Sequence, residues 1–330
     1  MTFRAALIGA AGVALLLALL ALLWPRFPGR QPGAARVLVG GGDAGGMARV
    51  SPLQEHLDSA ALEDASRDTA AEGLQALIVL RHGYIVYERF GHGYDAGTVI
   101  DSGAFAQVLL ALAAGIAAHD DRLPLQSLNG FDPVRVRDAI EAGTRQSYPD
   151  YLSQRLWRRL NAAAAWIDTP APGAPGAPGV RGVPGATAPV PAAVPADCCF
   201  HARVLDWLRV AAVLLDDGRF EGKAVVPAGW VERMRRPVSA SGSEGFGVEL
   251  ASAAHGAEAF AAEDVFFLRG PGRWRLWLMP TLNLGVLFGS ASQLPAWDET
   301  RLPNLVIRAV SERAPQRDTG SQLRQLVPGH

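Results

Sequence analysis

The chain has 330 residues, a hydrophobic content of 49% and a formal net charge of −1. That length and apolar fraction suffice for one large core or two intertwined ones. The near-neutral charge and the lack of a basic stripe argue against a nucleic-acid partner. Nearly all cationic side chains are arginine. Lys223 is the only lysine, and it falls in a turn-like stretch over 217–223. The two cysteines, Cys198 and Cys199, are adjacent, which predicts two small buried hydrophobes rather than a structural disulfide. The seven histidines show no metal-ligand spacing, so neither a metal nor a cofactor is expected.

After Arg4 the chain is apolar and uncharged over 5–24. At about 1.5 Å per residue such a run spans roughly 30 Å, a bilayer core. It ends in Leu23-Trp24-Pro25-Arg26, which has no small-x-small cleavage site. An uncleaved membrane anchor over 1–26 is therefore expected, contacting the membrane through 1–24. Arg26, Arg30 and Arg36 follow it, and on the positive-inside rule they place the body in the cytoplasm. Pro, Gly and Ala dominate 27–50, which reads as a flexible linker.

A helical pattern opens at Ser51-Pro52 and runs over 53–72. A β-hairpin over 74–90 follows, turning at His82-Gly83. Asp101-Ser102-Gly103 are cap-type residues. They precede 105–117, which is apolar nearly all round and too short for a bilayer, so it predicts a buried core helix. Helices are expected over 134–142 and 151–157, and another ending near Leu215. Between them, 169–196 is Pro/Gly/Ala-rich with a collagen-like period far too short for a triple helix, and it reads as a disordered surface loop. Apolar runs at 264–269, 273–279 and 284–289 predict three strands. A helix over 300–313 and a disordered tail over 314–330 close the chain. This order predicts an α/β (α+β) fold with an antiparallel sheet built from 74–90 and 264–289. Helices 53–72 and 300–313 should cover one face, and an inserted helical region over about 104–235 the other. The globular domain is expected over 51–313, with a sheet part at 51–100 and 240–313 and a helical part at 101–239.

The hairpin, the short loop and the buried helix ending in Gly115-Ile116-Ala117 resemble the β-lactamase-related serine hydrolases. These comprise class C β-lactamases, penicillin-binding-protein-like peptidases and esterases, and nylon-oligomer hydrolases. Further resemblance lies at 119–123, at Tyr151-Leu152 with Leu156-Trp157, and over 198–231, where Ala202-Arg203 and Asp206-Trp207 match a structural stretch of that family. The resemblance implies a β-lactamase/transpeptidase-like fold, a body facing the periplasm or exterior of the bacterial inner membrane, and a small amide, ester or cell-wall ligand. We adopt that outward orientation. Nothing in the sequence assigns an oligomeric state.

In the family the helix begins Ser-x-x-Lys, where the serine attacks and the lysine helps remove its proton. Counting back from Gly115, those positions fall on Ala104 and Gln107. The second motif, Tyr-x-Asn or Tyr-x-Ser, falls on Leu128 and Gly130. Tyr148-Pro149-Asp150 matches it by letter only. The third motif, Lys-Thr-Gly or His-x-Gly, falls on Leu268-Arg269-Gly270. Arg269 either holds an anionic group bidentately or faces solvent at a strand end. Ser102 is the only hydroxyl near the helix start and reads as a loop or cap residue. Ser102, Arg269 and Gly270 are thus the ligand-binding candidates. Two functions stay open: a non-catalytic, membrane-tethered binding protein, and an active serine hydrolase with displaced catalytic residues.

Overall fold

A computed structural model describes residues 35–70, 73–128, 130–169, 199–292 and 297–311. The expected anchor, the front of the linker, the loop from 170 and the tail lie outside them. Among the described residues no helix is long and apolar enough to cross a membrane.

In chain order the elements are β1 (Ala35–Val39), α1 (Ser59–Ala70), β2 (Leu74–Arg81), β3 (Tyr84–Phe90), β4 (Val99–Asp101), α2 (Ala106–His119), α3 (Pro133–Thr144), α4 (Tyr148–Arg155), β5 (Ala165–Thr169), β6 (Phe200–Arg203), α5 (Val204–Leu215), β7 (Arg219–Phe220), β8 (Lys223–Ala224), α6 (Trp230–Met234), β9 (Glu249–Leu250), β10 (Phe266–Arg269), β11 (Arg275–Met279), β12 (Leu284–Ser290) and α7 (Arg301–Arg308). The main sheet has the order β3-β2-β12-β11-β10-β9. Every pairing in it is antiparallel, so the expected hairpin and the three late strands do form one sheet. β2 and β12 are buried along almost their whole length because they lie centrally, with helices over both faces. β3, at the edge of the sheet, is less buried: Ile85 and Val86 face the cores while Tyr84, Glu88 and Arg89 are exposed.

One core, which includes Leu62, Val79, Trp277, Val286 and Val306, packs α1 and α7 on one face. The other holds Ile78, Leu80, Leu109, Trp207 and Leu276, packing α2 and α5 on the opposite face. The two-sided arrangement is the expected one. α2 is buried at nearly every position, which accounts for its lack of a polar face.

Several expectations change. The stretch 35–50, read as part of a linker, holds β1, and Gly41 packs so closely that a Cβ would strike the backbone at Ala162–Ala164. At Gly41 the missing side chain permits backbone contact rather than flexibility. The helix expected over 53–72 is interrupted: a 3₁₀ turn at Pro52–Glu55 ends at His56 in left-handed geometry (φ 54°), and Asp58 then accepts from the Ala60 amide at 2.8 Å to start α1. The last helix stops at Arg308, two residues before Val310 bridges to Leu57. A second sheet, of order β1-β5-β6-β4, joins 35–39 and 99–101 to two strands of the helical part. Thr169, expected in the disordered loop, ends β5 of that sheet. Cys199 is disulfide-bonded, contrary to the expectation of two unpaired cysteines, and its backbone has φ 66°.

Candidate active-site cleft

β4 delivers the chain to the start of α2 through a 3₁₀ turn at Gly103–Phe105. Three contacts fix that turn. Ser102 is fully buried, and its amide and Oγ both donate to the Phe200 carbonyl of β6, at 2.9 and 2.5 Å. Gly103, at φ 48°, lies so near Pro271 that a Cβ would come within 2.8 Å of its ring. Phe105 is buried edge-on against Trp207, with centroids 5.2 Å apart. The turn therefore holds Ala104 and Gln107 at the rim of a cleft of about 400 Å³.

The far wall comes from 243–249. Gly247 has φ 74°, and a Cβ there would lie 2.6 Å from Ala111 Cβ and 2.9 Å from the Gln107 carbonyl. Only a glycine lets this wall close against α2. Behind it Phe131 meets Phe246 edge-on at 4.9 Å, and Trp230 Nε1 donates to the Ala111 carbonyl at 3.0 Å. Phe131, Ser243, Glu244, Glu249 and Arg269 join Ala104 and Gln107 in lining the cleft.

The electrostatics centre on two arginines and two glutamates. Arg269 makes a bidentate contact with Glu249, Nε and Nη2 each donating at 2.9 Å, and also pairs with Glu299. Its Nη2 reaches the Ala253 carbonyl at 3.3 Å. Arg275 donates to the same Glu299 carboxylate from Nε at 2.8 Å, and the His255 amide donates to it at 3.1 Å. Burial alone would push the Glu299 carboxyl up, but the His255 amide, Arg275 and Arg269 outweigh it and hold the group below its ordinary value. Burial lowers Arg275, and the neighbouring charge of Arg269 adds to that. Burial also opposes the charge on Arg269, yet Glu249 and Glu299 together raise it. Neither reading of Arg269 holds as stated: it is neither a free anion holder nor a solvent-facing strand end.

Of the expected site residues, the cleft gathers Ala104, Gln107 and Arg269. Ser102 is not among its lining residues; it is a buried clamp between β4 and β6. Gly270 donates its amide to the Trp274 carbonyl at 2.9 Å, and a Cβ there would lie 2.8 Å from Trp274 Cβ, so it serves the β10–β11 turn. Leu128 is buried, Gly130 takes φ 83°, and their neighbour Phe131 reaches the cleft instead. Tyr148 is buried in α4, which pushes its phenol well above the ordinary value. Lys223 sits in the β7–β8 hairpin. Neither lines the cleft. Among the described residues that line the cleft, Ser243 carries the one hydroxyl, 2.6 Å from Ser241 Oγ, and none is a histidine or lysine that could take its proton. Among the described residues no group of three His, Cys, Asp or Glu is placed to hold a metal. The Glu249 and Glu299 partners of Arg269 were missed in the sequence. They lie 20 and 30 residues away and follow no periodic pattern.

No family model and no curated protein matches the sequence. Solved structures do match. A protein assigned as a 6-aminohexanoate-dimer hydrolase from Bacillus anthracis superposes with a TM-score of 0.62 at 12% identity, over 84% of this chain and 91% of that one. A β-lactamase from Mycobacterium bovis gives 0.54 at 13% identity, over 75% of this chain and 100% of that one. The chain has the β-lactamase-related serine-hydrolase fold. A penicillin-binding-protein homologue from Caulobacter crescentus adds to the likeness, at 0.53 and 13% identity over 80% of this chain and 100% of that one. Identities this low speak for the fold alone. Within this fold the start of the core helix and the end of β10 meet at one cleft, which Ala104, Gln107 and Arg269 line together.

Proposed function

We propose that this chain is a non-catalytic β-lactamase-related protein that binds a small amide- or ester-like ligand in the cleft instead of cleaving it. The observation that carries this reading is a cleft of about 400 Å³ lined by Ala104 and Gln107 at the two positions where the family resemblance expects the nucleophile and its base. Ala104 offers no oxygen for attack, and an amide such as Gln107 cannot take up a proton at neutral pH. Losing one member of such a unit already removes orders of magnitude in rate. The test is turnover of nitrocefin and p-nitrophenyl acetate by the purified chain. Rates at the uncatalysed background, unchanged in Ser102→Ala and Ser243→Ala, are expected. Turnover abolished by either substitution would establish displaced chemistry instead.

The same proposal tethers the protein to the bacterial inner membrane through 1–24, with the body on the periplasmic or outer side. Its support is the uncharged apolar run and the absence of a cleavage site after it. Full-length protein should stay in the pellet after alkaline carbonate extraction and be cut by protease added to spheroplasts. Release into the soluble fraction would reject the tether, and protection from protease would reverse the orientation.

A further inference from the structure

Resting on the reading of the cleft as a binding site, we infer that its ligand carries a positive charge, an ammonium group beside an amide. The observation is how the charges lining the cleft are spent. Arg269 is the only cationic side chain among the described residues that line the cleft. Glu249 holds it bidentately through Nε and Nη2, the Ala253 carbonyl accepts from Nη2 and Glu299 from Nη1, so only one Nη1 hydrogen is left over. Arg275 behind it is committed to Glu299. An anionic ligand seeking a bidentate seat on Arg269 would have to displace Glu249, leaving that partly buried carboxylate unpaired.

Glu244 is in the opposite state. It lies across an antiparallel bridge from Glu249 and lines the same cleft. Its carboxylate is exposed and makes no ion pair among the described residues. The lining thus carries two carboxylates against one guanidinium, and the unmatched one is free to receive a cation. Two other features describe the rest of the ligand. The half-buried Gln107 amide makes no side-chain hydrogen bond among the described residues, so it can both donate to and accept from a ligand amide. Phe131, Val248 and Leu268 add apolar lining to the same cleft.

The test uses three probes that share a ring and an amide and differ in charge: 4-(aminomethyl)benzamide, benzamide and 4-carbamoylbenzoate. Each is titrated into the full-length chain in zwitterionic micelles by saturation-transfer NMR. The amine is expected to bind about three- to fivefold tighter than benzamide, as for one partly exposed ion pair, and the carboxylate most weakly. The amine's advantage should shrink as salt rises. Glu244→Gln should bring the amine to the level of benzamide. A carboxylate that binds tightest, an amine no tighter than benzamide, or an amine advantage that survives Glu244→Gln overturns the inference while the cleft remains a binding site. If none of the three binds, the reading of the cleft as a binding site fails with it.

Discussion

Replacing Glu299 with glutamine should cost the fold about 3 kcal/mol at neutral pH. Glu299 is 3% exposed and accepts from Arg275, Arg269 and the His255 amide. The substituted side chain would keep the shape but lose the charge, and it would turn an amide donor toward a guanidinium. Breaking a buried pair from one side costs about 3–5 kcal/mol, because the remaining charge is left uncompensated. The lower end applies here. Arg269 keeps Glu249, and Arg275 keeps the carbonyls of Trp274 at 2.8 Å and Gly272 at 3.2 Å. Urea denaturation followed by tryptophan fluorescence reads the change, with Trp277 and Trp297 packed 6.0 Å apart beside the network. The pH dependence has a definite sign. A carboxyl whose folded pKa lies below its unfolded value contributes stability above the unfolded value, about 4.3, and loses it as pH falls through the folded one. The gap between parent and Glu299→Gln should therefore narrow as pH drops below about 4. The double variant Arg275→Met with Glu299→Met should recover most of the loss. A loss under about 1 kcal/mol at neutral pH, or a gap that widens in acid, would refute the reasoning.

Gly115→Ala should destabilise by about 1–3 kcal/mol in urea melts, because its Cβ would lie 2.5 Å from Trp230 Cδ1 and force the indole off the Ala111 carbonyl. Ser102→Ala should cost about 1 kcal/mol of stability through the lost bond to Phe200, with probe binding unchanged. Ala104→Ser with Gln107→Lys should leave ester turnover within about tenfold of background, because neither change supplies the second motif, which reads Leu128 and Gly130 here. A rate far above that would show that the remaining machinery is in place.

The main sheet was legible because β2, β11 and β12 are apolar runs set off by turn residues, and a buried strand needs no other signal. α2 was equally plain, since a helix apolar on every side has only a core to occupy. The second sheet was not. Its strands span three to five residues and come from four separate places in the chain, so pairing rather than local pattern forms them. Gly41 misled for a related reason: composition does not distinguish a loose glycine from one pressed against the backbone at 162–164. At the site, Ala104 and Gln107 could be placed by counting along one helix. The state of Arg269 could not, because its two carboxylate partners arrive from β9 and from the stretch before α7.

Intact-mass analysis after incubation with a fluorophosphonate and, separately, with a penicillin tests the central claim most directly. A chain whose cleft presents Ala104 and Gln107 should keep its unmodified mass with both reagents. A stoichiometric adduct mapping to 102–107 or to Ser243 would contradict the account.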